Sequence, residues 1–144
     1  IRLSLVGSEM CIRDRIESAS GANRRLQVAP AVPVEQMEAI VGTNFLPEPL
    51  RSEVNARLSR LGMTNWFRCA AHEYRLAAAG DIDALFYNKL MPWDHAAGWL
   101  LHREAGGYAA HHDGSAYRAA HRTGGLICAV DRARFDAVRA ALLG

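Results

Sequence analysis

Lysine is nearly missing from this sequence: Lys89 stands alone against sixteen arginines. Charge of one sign is missing too, since 17 basic and 15 acidic residues leave a formal net charge of +2. So small an excess gives no electrostatic reason for nucleic acid or a membrane surface as partner. No apolar run is long enough to cross a bilayer. Leu3-Ser4-Leu5-Val6 is too short for a signal-peptide core, and Glu9 follows it. Cysteine is scarce and odd in number, with Cys11, Cys69 and Cys128 far apart. That argues against a disulfide scaffold and for a reducing, cytoplasmic setting. Internal repeats and low-complexity tracts are absent as well. What remains is 144 residues, half of them hydrophobic, enough for one domain with a real core. Abundant alanine beside the arginine bias suggests a GC-rich bacterial genome.

Residues 1–15 show no useful helical or strand periodicity. Their run Val6-Gly7-Ser8-Glu9-Met10-Cys11-Ile12-Arg13-Asp14 resembles a translated sequencing adapter. The segment is expected to be disordered and foreign to the fold. Beyond it, Ala19 to Val28 reads as the end of a hairpin around a polar turn. Pro30 and Pro33 exclude regular helix nearby. Ala39-Ile40-Val41-Gly42 is a short apolar run, expected as a buried strand. Leu50, Val54, Leu58 and Leu61 recur at helical spacing, with Gly62 expected as the C-terminal cap. Thr64 to Cys69 reads as a strand, and Ala70 to Ala79 as a helix stopped by Gly80. Ile82 to Tyr87 alternates as a strand does, and Asp94 to Ala105 reads as a helix stopped by Gly106-Gly107. Gly107–Ala110 and Leu126–Val130 are expected strands, with a turn at Asp113-Gly114 between them. Asp131 is expected to cap a last helix with Phe135, Val138 and Leu142 on its apolar face. Strands alternating with helices of this length predict an α/β fold, a layered sheet with helices on its faces.

One segment stands out, Leu90-Met91-Pro92-Trp93-Asp94-His95-Ala96-Ala97-Gly98, continuing to Glu104-Ala105-Gly106-Gly107. Pro92 forces an extended approach, and Asp94 sits where a helix starts. An aspartate there suits free backbone N–H groups and the positive end of the helix dipole. Ala96, Ala97, Leu100, Leu101 and Ala105 fall on one face, and Gly98 beside the small pair allows close approach. Read on these grounds alone, Asp94 is a helix cap.

Trp93-Asp94-His95-Ala96-Ala97-Gly98 followed by Glu104-Ala105-Gly106-Gly107 resembles the second signature of the inositol monophosphatase family. Arg68-Cys69-Ala70-Ala71, the helix to Gly80, the strand Ile82–Tyr87 and the Gly124-Gly125 turn follow the same family order. The resemblance covers residues 16–144. It implies the C-terminal subdomain of an inositol-monophosphatase-like αβαβα sandwich whose N-terminal half is missing. It also implies a Mg2+-dependent phosphomonoesterase in which Asp94 is metal ligand and catalytic residue. A hard oxygen ligand suits magnesium. Ala70 matches a place where the family's backbone contacts substrate. Tyr87, seven residues before Asp94, stands where inositol-specific members carry a glutamate that touches substrate hydroxyls. The implied substrate is inositol phosphate or a similar small sugar or polyol phosphate, and the full-length protein is expected to be a homodimer. The first signature, Asp-Pro-(Ile/Leu)-Asp-Gly-Thr, does not occur in the sequence. Because it supplies most of the metal ligands, the chain alone is expected to be inactive. Histidinol-phosphate phosphatase, bisphosphate nucleotidase and a non-catalytic ligand-binding α/β module are the competing functions.

Other polar residues are given bland roles. His95 and His102 lack a third ligand for zinc. In His72-Glu73 the histidine is expected to be partly buried with a structural partner. His111-His112-Asp113 reads as a solvated turn, Cys69 and Cys128 as small hydrophobes, and Trp93 and Trp99 as core or cleft wall. The arginines of the Leu50–Leu61 and Asp131–Leu143 helices read as solvated faces.

Overall fold

The computed structural model describes residues 25–144 in full. Before them it describes only backbone in three strands, β1 (Glu9–Ile12), β2 (Arg15–Ser18) and β3 (Asn23–Arg25). Most of the segment 1–15 therefore lies outside the described residues, as does the turn between β2 and β3. The three strands pair antiparallel in the order β1-β2-β3, and Arg15 faces Arg25 in the expected hairpin. Past β3 the chain is tied down at once. Leu26 is buried among Ala78, Ala79 and Ala105, and the Val28 N–H donates to the Ala105 carbonyl at 3.1 Å.

The main body continues through β4 (Glu38–Val41), α1 (Leu50–Arg57), β5 (Met63–Asn65), α2 (Ala70–Ala79) and β6 (Ala84–Tyr87). It closes with α3 (Pro92–Glu104), β7 (Tyr108–Ala110), β8 (Leu126–Ala129) and α4 (Arg132–Leu143). The sheet order is β5-β4-β6-β8-β7, with β4 parallel to β5 and β6 and β8 antiparallel to β6 and β7. Side chains alternate between two helical layers. Ala39, Val41, Ala84, Phe86, Ile127 and Ala129 pack against Val54 of α1 and Phe135, Val138 and Leu142 of α4. Ile40, Leu85, Leu126 and Cys128 pack against Tyr74 and Ala77 of α2, with Trp99 of α3 beside them. The result is the expected α/β layering. The alternation in β6 separates two cores rather than core from solvent, since Ala84 to Tyr87 are all buried.

Several local expectations are corrected. Helix α1 gives way to a 3-10 turn at Leu58–Arg60, and Gly62 does not cap it. Gly62 lies against the Gln36 backbone, where an added Cβ would sit 2.8 Å from the Gln36 carbonyl carbon. The strand from Thr64 ends at Asn65, and Arg68 then takes a left-handed turn at φ 62° into α2. Helix α3 starts at Pro92, with Met91 in the capping position, so Asp94 is in its first turn and is not the cap. The face of α3 carrying Ala97 and Leu100 points outward, with Leu100 49% and Trp93 74% exposed. The buried side of α3 instead carries His95, His102 and, beyond the helix, Ala105. Gly98 meets the Tyr74 ring, where a Cβ would come within 2.1 Å of Cδ2. Two of the helix arginines do more than face water, although Arg60 stays exposed. Arg57 and Arg60 donate to the Leu142 and Ala141 carbonyls at 3.0 and 3.2 Å, closing the free end of α4.

Candidate active site

Strands β5, β4 and β6 point the same way, so their carboxyl ends gather three loops at one edge of the sheet. Open α/β sheets place ligands at such an edge. The Gly42 N–H donates to the Phe86 carbonyl at 3.0 Å, and the Trp66 indole nitrogen lies 3.6 Å from where a Gly42 Cβ would sit. Asn88 donates through its side-chain amide to the Phe45 carbonyl. The Leu90 N–H donates to the Arg122 carbonyl at 3.2 Å, which fixes the approach to α3.

Asp94 emerges at this edge. Its N–H is held by the Met91 carbonyl at 2.9 Å, and its side chain is exposed. Among the described residues the carboxylate makes no side-chain hydrogen bond or ion pair. Ala70 opens α2 at the end of the neighbouring loop, and Cys69 before it supplies no side-chain cap. The first amides of α2 therefore lack a partner within the helix. Tyr87 ends β6. Its ring is buried, and its hydroxyl donates inward to Glu73 Oε2 at 2.8 Å. Burial, and then the Glu73 charge, push the Tyr87 phenol well above its ordinary range.

Glu73 is the residue that sequence reasoning passed over. In the His72-Glu73 pair the buried member is the glutamate, 1% exposed, while His72 is half-buried at an edge contact with Phe67. Glu73 Oε1 accepts from the Phe67 N–H at 3.1 Å, so one carboxylate joins the Trp66–Arg68 loop to the end of β6. A signal was present: Glu73 and Ala77, like Tyr74 and Ala78, stand four apart on the stripe of α2 that is buried. Beside this pair, the Tyr74 hydroxyl and His95 Nδ1 lie 3.1 Å apart, and the Tyr87 and His95 rings meet edge to face at 4.7 Å. Burial lowers the His95 pKa, against the opposing pull of Asp94 and the Lys89 carbonyl.

The remaining polar residues stand elsewhere. His102 is buried against the Ala129 carbonyl at 3.0 Å, at the far end of α3 from His95. Among the described residues no group of three histidines, cysteines or carboxylates could hold a metal ion. The solvated-turn reading of His111-His112 is overturned. His111 is buried, bonded to the Gly125 carbonyl at 2.6 Å and to His121 Nδ1 at 2.9 Å, and His112 stacks on Phe86 at 4.4 Å. Only Asp113 remains in water, accepting from the Ser115 N–H at 2.8 Å. Cys128 is buried inside β8, and burial pushes its thiol up to about 12. Trp99 packs edge-on against Tyr117, whereas Trp93 is no part of the core.

Residues 15–143 match the profile of the inositol monophosphatase family. The chain belongs to that family. No curated protein sequence matches it. Among solved structures it is similar to the staphylococcal inositol monophosphatase II bound to inositol monophosphate, at 19% identity and a TM-score of 0.72. That likeness covers 90% of this chain and 52% of the other. It is also similar to the extragenic suppressor protein suhB from Bartonella henselae, with 24% identity, a TM-score of 0.73, and coverage of 89% and 52%. The inositol monophosphatase from Zymomonas mobilis gives 13% identity, a TM-score of 0.74, and coverage of 90% and 53%. At these identities the solved structures establish the αβ-layered fold. The chain spans about half the length of each. The family is generally Mg2+-dependent. No helix among the described residues is long and apolar enough to cross a membrane.

Proposed function

We propose that this chain forms part of the catalytic centre of a magnesium-dependent phosphomonoesterase for inositol phosphate or a similar small sugar or polyol phosphate. The observation that carries the reading is Asp94, an exposed carboxylate in no hydrogen bond or ion pair among the described residues, at the carboxyl edge of parallel strands. A carboxylate oxygen fits magnesium, but one ligand cannot supply the octahedral oxygen set that the ion requires. When bound, the metal polarises the phosphoryl oxygens and lowers the pKa of a water. The chain's own residues do the rest of the positioning. Asp94 holds the ion's place at the start of α3, the free amides from Ala70 onward offer donors to a phosphate or substrate oxygen, and Tyr87 forms the wall between them. The enzyme acts as a cytoplasmic homodimer on a soluble substrate.

On this reading the isolated chain binds magnesium weakly and turns over negligible phosphate ester. Phosphate release by the purified chain at an ordinary enzymatic rate would overturn the incompleteness. In a longer chain that carries the Asp-Pro-x-Asp-Gly-Thr signature, Asp94→Asn is expected to lower phosphate release by about 100-fold or more. An unchanged rate in that variant removes Asp94 from the mechanism.

A further inference from the structure

We propose that the rim of this site recognises a second anionic group on the substrate, phosphate or carboxylate, through Arg68 and Lys89. The inference rests on the phosphatase reading above and narrows its substrate class.

Strands β5, β4 and β6 are adjacent. With neighbouring strands about 4.8 Å apart, the loops beyond β5 and β6 are separated by roughly 10 Å, with the end of β4 between them. Arg68 belongs to the first loop and Lys89 to the second. The Arg68 guanidinium lies 5.4 Å from the Trp66 ring centre, and the Lys89 ammonium 5.3 Å from that of Phe45. Both rings are open to solvent, Trp66 at 37% and Phe45 at 63%.

Four arginines of the described structure pair with carboxylates within 4.0 Å, Arg51 with Glu48, Arg57 with Glu53, Arg132 with Asp136 and Arg134 with Asp131, while Arg139 donates to the His112 carbonyl and Arg103 lies 4.8 Å from the Trp99 ring centre. Arg68 and Lys89 also rest on aromatic faces, but at the carboxyl edge of the sheet, and no carboxylate among the described residues is in ion-pair contact with either. A ring steadies a cation while leaving its N–H donors outward. The three loops offer few acids to neutralise them. Glu48 is committed to Arg51 and Ser52, and Asp94 stands where a divalent cation would meet its charge. A monophosphate whose polyol carries no further charge would place its one anionic group at the metal and leave both cations facing water. A substrate with a second phosphate or a carboxylate beside the scissile ester would engage them, and the Arg68 fork suits a bidentate oxyanion.

The test uses the whole chain in magnesium buffer, with tryptophan fluorescence as the readout because Trp66 lies beneath Arg68. Three probes are titrated at equal ionic strength: a hexose bisphosphate, phosphoglycerate and inositol monophosphate. At least one bisanionic probe is expected to bind about tenfold more tightly than inositol monophosphate. Comparing the first two probes shows whether the second group is phosphate or carboxylate. The double variant R68N/K89M should erase that preference while leaving the circular dichroism spectrum unchanged. Asparagine tolerates the left-handed backbone at position 68, so the variant removes charge without strain. Equal affinity for all three probes, no measurable binding of any, or a preference that survives in the double variant overturns the proposal. Asp94→Asn separates the two readings. Failure of the phosphatase reading shows as magnesium-dependent binding that Asp94→Asn leaves untouched, whereas failure of the rim shows in the double variant alone.

Discussion

Glu73 illustrates how much one buried carboxylate can organise. Its two oxygens each take one donor, the Tyr87 hydroxyl and the Phe67 N–H. Glu73→Ala would orphan both donors and is expected to cost about 3 kcal/mol in urea unfolding. Glu73→Gln keeps one acceptor and can donate to the phenol oxygen, so its cost should be about half as large. Equal losses in the two variants would show that the carboxylate is not what joins these segments. Gly98 is the other sensitive position, because its missing side chain is the room occupied by Tyr74. Gly98→Ala gains up to about 1 kcal/mol of helix propensity but overpacks a rigid buried ring, so a net loss of roughly 1–2 kcal/mol is expected in the same assay. A gain in stability would mean that α2 and α3 part more easily than this contact suggests. At this scale the segment around Asp94 was legible as a family signature because its motif is local. Glu73 was not, because burial of a charge depends on partners supplied by two other segments.

Among the elements, α2 and α4 were read nearly to the residue. Gly80 does stop α2, in a left-handed conformation at φ 81°, and Asp131 does cap α4, accepting from the Arg134 N–H at 2.7 Å. Both signals are chemical and act within four residues. Helix α3 was misread at its start and on its face. Its start was obscured because Pro92, which lacks an N–H, is well suited to the first helical position. Its face was misread because the apolar side of a helix does not say which neighbour it meets, and here two histidines and a glycine face the sheet and α2. The difference is measurable. Asp131→Ala should cost about 1 kcal/mol as a lost cap. Asp94→Asn, which weakens only the favourable interaction with the helix dipole, should cost less than about 1 kcal/mol in the metal-free chain. A larger loss for Asp94→Asn than for Asp131→Ala in urea titrations would restore Asp94 as the cap.

Across the whole molecule, the buried imidazoles make stability depend on pH. Burial lowers the His112 pKa from 6.5 to about 4, with His111 and Arg139 adding to the shift and Asp113 opposing it. Burial lowers His95 and His102 in the same direction. The unfolded chain therefore takes up protons that the folded one refuses. The stabilisation from His112 is complete above pH 6.5 and is lost as pH falls toward 4, by up to about 3 kcal/mol. Melting temperatures measured from pH 7.5 down to 4.5 should fall, and His112→Gln should flatten part of that slope; a parallel slope in the variant would clear His112 of the effect. The layered α/β organisation itself was legible, since strands and helices alternate along the chain. The parallel-to-antiparallel change at β8 was not, because register is decided by contacts between distant segments.

The Gly98–Tyr74 contact also has a meaning in time. With the ring seated against bare backbone, α2 and α3 cannot slide or separate without emptying that space. The loop that opens α2 and the turn that presents Asp94 must then fluctuate together. Amide protons in the middle of the two helices should exchange with solvent at matching rates, as one opening unit, so Ala70 and Asp94 keep their separation until both helices let go.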